Sequence, residues 1–323
     1  MKTIAIAAGG DSSEFEISIK SAGEVSDILS SRYVVYIIVI RGSNWYWEDK
    51  KGRYHNIDKN DFSLQNDDHR IKFDGVFIAI HGTPGENGLL QGYFDMIGIR
   101  YTSCDAFCSA LTFNKQACKL FLKEYGIDMV NAFLIRAGDK IDLADIDKQI
   151  GMPCFVKPND SGSSFGVTKV KQKDELLPAI DIAFKESNAV LIEKFIDGRE
   201  VACGVFKEKG KIILLPLIEI ISKNEFFDYE AKYTQGKSDE ITPADMPLSI
   251  TKEIQRISKY VYEVLGCKGI VRVDFIVAGE KPFFIEVNTV PGLTKESLVP
   301  KEAAAAGISL EELYSMAVEN MFG

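Results

Sequence analysis

Val271 to Thr289 reads VRVDFIVAGEKPFFIEVNT, two apolar-rich runs on either side of Gly279-Glu280-Lys281. A turn centred near Glu280 makes the runs a hairpin in which Asp274 lies opposite Glu286 and Arg272 opposite Asn288. Side chains alternate faces along a strand, so one face carries Val273, Phe275, Val277, Phe283, Ile285 and Val287. The other presents Arg272, Asp274, Glu286 and Asn288 together, at the end away from the turn. Three oxygen donors and a guanidinium therefore converge. Oxygen-only donors with few carboxylates suit Mg²⁺ that is also held by phosphates and water, rather than zinc. The competing reading is an amphipathic hairpin with a solvated polar face. An ordinary wet face mixes Lys, Thr and Ser, whereas this one uses two acids, an amide and an arginine.

The chain upstream supplies a larger frame. Over the first hundred residues, strand-like runs alternate with helical ones: Ile4 to Ala8, Phe15 to Leu29, Tyr33 to Ile40, Val76 to His81 and Leu89 to Ile97. That order predicts an α/β unit with a parallel sheet. The polar stretch 44–70, with both tryptophans, reads as a surface hairpin or excursion. A long amphipathic helix is expected from Ala106 to Tyr125, ended by Gly126. Strands follow at Pro153 to Lys157, Val167 to Val170 and Ala189 to Ile196, antiparallel around a Ser/Gly loop, with a helix near Glu175 to Glu186. Further strands are expected at Glu200 to Phe206 and Ile212 to Ile221. A long polar loop from Ser222 to Pro247, a helix from Thr251 to Leu265 and a closing helix from Leu310 to Met321 complete the pattern.

A chain of 323 residues exceeds the size at which one core keeps growing, so two or three compact units are expected. With 46% hydrophobic and 26% charged residues it reads as a soluble globular protein. The net charge of -9 argues against a general nucleic-acid or anionic-membrane binder while permitting local basic pockets. No apolar stretch approaches the ~20 residues that span a bilayer, and the start MKTIAIAAGGDSSEFE soon turns polar, so a cytoplasmic protein is expected. Cys104, Cys108, Cys118, Cys154, Cys203 and Cys267 form no CxxC pair and read as reduced core thiols. Cys104 and Cys108 could share a helix face, but without a second pair zinc is not expected.

Four loops carry possible chemistry. Gly9-Gly10 ends a buried strand before Ser12, Ser13 and Glu14, which reads either as a helix N-terminus open to an anion or as a plain tight turn; the spacing of a dinucleotide fingerprint is absent. HGTPGENG, 81–88, follows a strand and lets the backbone approach a ligand, with His81 either a ligand contact or a satisfied structural residue. Lys157 precedes PNDSGSSFG, whose hydroxyls and N–H groups suit a cover over phosphates, although the Walker A spacing is missing. Glu193-Lys194-Phe195-Ile196, followed by Gly198-Arg199-Glu200, offers a carboxylate and backbone donors that could bond a purine edge.

Taken in order, GGDSSEFEIS, HGTPGENGLLQG, FVKPNDSGSSFGV, LIEKFIDGREV, DYEAKY, RVDF and IEVNTVPGLTKESLVP resemble the ATP-grasp superfamily and, within it, the D-alanine–D-alanine ligases. The likeness runs nearly end to end; only 44–70 carries no motif. It implies three domains, a Rossmann-like N-terminal one over 1–103, a central one over 104–196 and a C-terminal one over 197–323, with ATP between the last two. It also implies that Lys115 and Lys157 hold ATP phosphates with Lys232 assisting, that Glu193, Lys194 and Ile196 meet the adenine, and that Glu200 binds the ribose. Asp274, Glu286 and Asn288 would ligate two Mg²⁺, for which Mn²⁺ could substitute. Arg272 and the Gly292 N–H would stabilise the oxyanion formed when an amine attacks an acyl phosphate, each donor worth ~3 kcal/mol in comparable sites. Glu14, Ser163 and Tyr233 would orient the substrates and close the site, His81 would contact substrate, and Ser297 and Leu298 would meet the second amino acid. Two departures stand out: Phe15 where relatives commonly have His or Arg, and Asn87 where Asp is usual. The activity implied is cytoplasmic joining of two D-alanines through a D-alanyl phosphate, for cell-wall precursor synthesis, by a homodimer. The rivals are a ligase with a D-lactate or D-serine acceptor, and a nucleotide-binding regulator on the same fold.

Overall fold

The computed structural model describes residues 1–66, 69–162, 165–222 and 238–323. Among these, the strands form sheets of seven, four and six members. The first is built on β1 (Thr3–Gly9), α1 (Phe15–Leu29) and β2 (Val34–Arg41), with β1 and β2 parallel. The polar stretch then adds β3 (Asn44–Glu48), β4 (Tyr54–Asp58), β5 (Ser63–Asn66) and β6 (His69–Ile71), and β7 (Gly75–Ile78) returns parallel to β1 on its other side. The expected excursion is therefore an antiparallel extension of the same sheet, in the order β6-β5-β4-β3-β2-β1-β7. Its aromatic residues explain why it stays attached. Trp45 meets Tyr93 at 5.1 Å and Phe62 meets Phe94 at 5.0 Å between ring centres, both partners lying on α2 (Leu89–Ile97). β1 is apolar throughout because both its faces are covered: Ile4 and Ile6 enter one core, Ala5 and Ala7 another.

The helix expected from Ala106 to Tyr125 is two helices, α3 (Ala106–Phe113) and α4 (Lys115–Lys123). Asn114 divides them. Its backbone is extended and its side-chain oxygen accepts the Ala117 N–H at 2.9 Å, a capping contact that starts a new helix and sets Lys115 at its first position. β8 (Ala132–Arg136), α5 (Leu143–Gln149), β9 (Cys154–Pro158), β10 (Thr168–Val170), α6 (Leu176–Ala183) and β11 (Ala189–Lys194) make the antiparallel second sheet. α5 and α6 cover one face, where Ile146, Ile180, Cys154 and Val156 are buried together. Phe155 and Lys157 alternate with these and so project from the other face.

The third sheet contains β12 (Arg199–Glu208), β13 (Lys211–Leu214), β14 (Ile218–Ser222), β15 (Ser238–Ile241), β16 (Val271–Ala278) and β17 (Lys281–Asn288). The run Ile212 to Ile221 is two strands rather than one, broken around Pro216, which has no N–H for a ladder. Between β15 and β16 lies α7 (Leu248–Val264), and its Ile254 and Val261 share a core with Cys118 and Leu122 of α4 and with Val273, Phe275 and Phe284. Thus α3 and α4 precede the second sheet in sequence but pack on the third. The last helices, α8 (Leu298–Ala305) and α9 (Leu310–Asn320), return to the first sheet. Leu313 and Tyr314 of α9 pack with Ile4, Ile6 and Phe77, and Ser309 and Glu312 form a capping box that begins the helix.

Candidate active site

The β16–β17 hairpin pairs Asp274 with Glu286 and Arg272 with Asn288, as the spacing predicts. The turn is tighter than a symmetric loop about Glu280: Ala278 pairs with Lys281 and Phe275 with Phe284, and a bulge beside Asp274 and Phe275 restores the register at the far end. The expected apolar face is corrected accordingly. Phe284, not Phe283, enters the core against Phe275, and Ile285 turns toward the cavity described next. The extra residue keeps the four polar side chains together.

A cavity of about 500 Å³ opens between the second and third sheets. Lys115, Lys157, Glu193, Lys194, Ile196, Glu200, Arg272, Asp274, Glu286 and Asn288 all line it. At one end the Arg272 guanidinium donates from Nε and Nη2 to the two Asp274 oxygens, each at 2.7 Å. The Asn288 amide donates to Asp274 Oδ2 at 2.9 Å. Burial works against the Arg272 charge, but Asp274, with Glu286 and Glu302 beyond it, outweighs burial and raises its pKa. Lys115 Nζ bonds to the Ser161 carbonyl at 2.6 Å and stands 3.7 Å from Glu286 Oε2. The other end of the cavity is apolar, with Val130, Phe155, Val167, Phe195 and Ile196.

Glu193, expected at the adenine, lines the cavity and also joins a buried charge cluster. Its carboxylate is 4% exposed and lies between two ammonium groups, Lys119 at 2.5 Å and Lys157 at 2.6 Å. Burial would raise its pKa, and the two lysines override burial and lower it. Lys119 is itself buried, which lowers its pKa despite Glu193. Glu193 therefore holds the cationic floor together, while Lys194 and Ile196 reach the apolar end.

Of the residues expected at the amino-acid substrates, Arg272 lines this cavity, whereas Glu14, His81, Gly292, Ser297 and Leu298 are not in its lining. Glu14 is 5% exposed and abuts Gly162, where a Cβ would stand 2.2 Å from Glu14 Oε2, so any larger residue there would displace the Glu14 carboxylate. His81 has both ring nitrogens occupied, Nδ1 with the Val290 carbonyl at 2.9 Å and Nε2 with Ser21 Oγ at 3.1 Å. It thus ties the 81–88 loop to α1 and to the segment after β17. Gly292 lies against Ser297, whose Oγ is 2.9 Å from Thr294 Oγ1, and Leu298 is buried with Ala202, Ile218 and Ile220. Ser163, Lys232 and Tyr233 lie outside the described residues. Of the two departures, the Phe15 ring lies under the Arg41 guanidinium at 4.8 Å, and Asn87 bonds to Thr83.

Three acids or bases take no role from the sequence reading: Lys119 and Glu302, which are buried, and Glu86, which is half-buried within the 81–88 motif. Lys119 stands one turn after Lys115 on α4, and that spacing was the available signal. Glu86 lines the cavity and accepts the Gly82 N–H at 2.7 Å and the Val290 N–H at 3.2 Å. Burial, then the charge of Glu14, pushes its pKa up to about 8. Glu302 on α8 is wholly buried and accepts the Gly204 N–H at 2.9 Å; burial pushes it up to about 8 as well. No sequence pattern distinguished Glu302 from an ordinary helix-surface residue.

A family model described as D-ala D-ala ligase N-terminus matches residues 3–104, and one described as D-ala D-ala ligase C-terminus matches residues 121–319. A D-alanine--D-alanine ligase of Flavobacterium johnsoniae is 50% identical over 320 residues, with 99% of each chain covered. Among solved structures, D-alanyl-alanine synthetase A of Vibrio cholerae has a TM-score of 0.89 at 28% identity, covering 100% of this chain and 99% of its own. The VanG D-Ala:D-Ser ligase of Enterococcus faecalis has a TM-score of 0.87 at 32% identity, with 99% of each chain covered. With two family models spanning most of its length and a half-identical relative along all of it, this chain belongs to the D-alanine–D-alanine ligase family.

Proposed function

We propose that this enzyme joins two D-alanines to D-alanyl-D-alanine at the expense of ATP, through a D-alanyl phosphate, in peptidoglycan precursor synthesis. The observation that carries it is the single cavity in which two lysines, an arginine and three oxygen-donor side chains face one another across two sheets. Its apolar end, with Phe155, Val167, Phe195 and Ile196, suits a purine, with Lys194 at the ring edge and Glu200 at the ribose. Lys115 and Lys157 then meet the phosphates, and Glu193 keeps Lys157 extended toward them. Asp274, Glu286 and Asn288 fit Mg²⁺, because two carboxylates and an amide are hard donors and the surrounding cations belong to the phosphates. On this reading these residues would hold two ions, for which Mn²⁺ could substitute, and the bound metal would screen the charge of the transferring phosphoryl group.

Arg272 contributes most once charge has moved onto the acyl oxygen, with the Gly292 N–H as its companion. Glu14 holds the first amino group, with Ser163 and Tyr233 completing a hydrogen-bonded set and Lys232 assisting at the phosphates. Ser297 and Leu298 border the second amino acid, and His81 serves by fixing the loop between the two sites. The domains read as 1–103, 104–196 and 197–323 each hold one of the three sheets, while α3 and α4 pack on the third sheet and α8 and α9 on the first. A cytoplasmic homodimer completes the reading, on family likeness alone; no helix among the described residues is long and apolar enough to cross a membrane. The test is phosphate release on adding D-alanine to enzyme, ATP and Mg²⁺. Release that depends on D-alanine supports the reading, and ATP turnover indifferent to it contradicts the reading.

A further inference from the structure

In the core that the hairpin shares with α3, α4 and α7, three thiols with no role assigned above meet. Cys104 precedes α3, Cys108 lies in its first turn, and Cys267 lies in the link between α7 and β16. Their sulfur atoms all lie within 4.8 Å of one another, and Cys108 Sγ is 3.8 Å from Cys267 Sγ. Sulfurs sharing one metal at the usual ~2.3 Å bond length stand ~3.8–4.0 Å apart in tetrahedral or trigonal geometry. One pair is therefore at ligating separation already, and the others need only a small rotamer adjustment. The two segments are 159 residues apart, so sequence spacing could not reveal the third thiol.

The surroundings are ordered for such a centre. The Lys268 N–H points at Cys104 Sγ at 3.3 Å, a contact of the kind that steadies a metal-bound sulfur from outside. The Lys268 carbonyl, also 3.3 Å from that sulfur, accepts a hydrogen bond from the protonated thiol. Asp105 fixes Cys108 by accepting its N–H at 3.0 Å. No imidazole or carboxylate oxygen joins the three sulfurs among the described residues, so the donor set is soft. The thiols are 0%, 1% and 2% exposed, but an open groove lined by Asp95, Asp105, Glu263 and Lys268 runs alongside. Its acids outnumber its one lysine, which suits the approach of a cation.

We propose that Cys104, Cys108 and Cys267 form a three-thiolate site for a thiophilic d¹⁰ cation, zinc or monovalent copper. Each ligating thiol gives up its proton to solvent as its bond to the metal forms, and no sulfur changes oxidation state. Such an ion clamps α3, which leads into Asn114 and Lys115, to the link that enters β16 before Arg272 and Asp274. It would tie together two elements that deliver the cavity's charged groups.

Reduced full-length enzyme is titrated anaerobically with Cd²⁺ as a spectroscopic probe, and separately with Zn²⁺ and Cu⁺ against chromogenic chelators. One equivalent of Cd²⁺ should give a sulfur-to-metal charge-transfer band, which the oxygen-lined Asp274 and Glu286 site cannot produce. Cys267→Ser and Cys108→Ala should each weaken binding at least tenfold, and Cys118→Ala should leave it unchanged. Whichever of zinc and copper outcompetes its chelator identifies the ion held. Absence of the band in the native enzyme, or its persistence in both variants, overturns the site. Should the variants fail to fold, X-ray absorption of the cadmium-loaded native enzyme decides: a shell of three sulfurs supports the proposal and an oxygen or nitrogen shell refutes it.

Discussion

Glu193 shows how one buried side chain can organise a charged floor. With Lys119 and Lys157 both against it, its loss would leave two buried ammonium groups without a counter-charge. Breaking such a pair costs about 3–5 kcal/mol, so Glu193→Gln should lower unfolding free energy in urea by about that much. Lys119→Met should cost much less, since Lys157 still neutralises Glu193; equal losses would mean that the triad is not one unit. Nearer the chemistry, Glu286→Gln should abolish turnover while leaving the melting temperature unchanged within a few degrees. Near-normal activity at moderate Mg²⁺ would sink the metal assignment. Arg272→Ala should cut turnover by ~10²-fold or more with a smaller effect on ATP binding, as expected of a group that acts on developing charge. Glu302 makes a different prediction. Its carboxyl holds a proton to about pH 8 in the folded chain, whereas the unfolded chain releases it near the ordinary carboxylate value. Between those limits the folded state binds more protons, so stability falls as pH rises, by on the order of a few kcal/mol if each tenfold change in proton affinity is worth about 1.4 kcal/mol. Glu302→Gln should flatten that decline between pH 5 and pH 8 in a thermal-denaturation series; an unchanged slope would place the burden on Glu86 or elsewhere.

Among the elements, the division of α3 from α4 has the clearest consequence. Asn114 caps α4 and so aims Lys115 at the cavity. Asn114→Ala should cost about 1 kcal/mol of stability and raise the KM for ATP several-fold, and Asn114→Asp should restore both, as steady-state kinetics beside melting curves would report. That break was hidden in the sequence because an amphipathic pattern continues across it, and periodicity reports faces rather than caps. The hairpin was legible for the opposite reason: alternation and a Gly-containing turn specify which residues oppose each other, and only the bulge, which moved Phe283 and Ile285, escaped. The stretch 44–70 was legible only as a surface hairpin or excursion, because what attaches it, Trp45 and Phe62 against Tyr93 and Phe94 of α2, is a contact with no local signature. The same limit applies to Lys119, Glu86 and Glu302, whose meaning comes from burial. It applies most of all to Cys267, which meets Cys108 only in the folded chain.

At the scale of the molecule, the cavity belongs to no single sheet. The second sheet offers Lys157, Lys194 and the apolar end, the third offers Arg272, Asp274, Glu286 and Asn288, and α4 brings Lys115 across. The first sheet is joined to this assembly by α8 and α9, by Glu86 against Val290 and by His81. If Glu14 holds the first amino acid as proposed, its closeness to Gly162 would bring that substrate to the phosphate end of the cavity, an arrangement that would suit transfer of a phosphoryl group to a carboxylate and then of the acyl group to an amine. The decisive measurement supplies enzyme, ATP and Mg²⁺ with an equimolar mixture of D-alanine, D-serine and D-lactate, and reads products by mass spectrometry alongside ADP. D-alanyl-D-alanine should dominate, formed in step with ADP and absent without D-alanine. A predominance of the D-serine or D-lactate product, or ADP formed with no ligated product, would contradict the assignment.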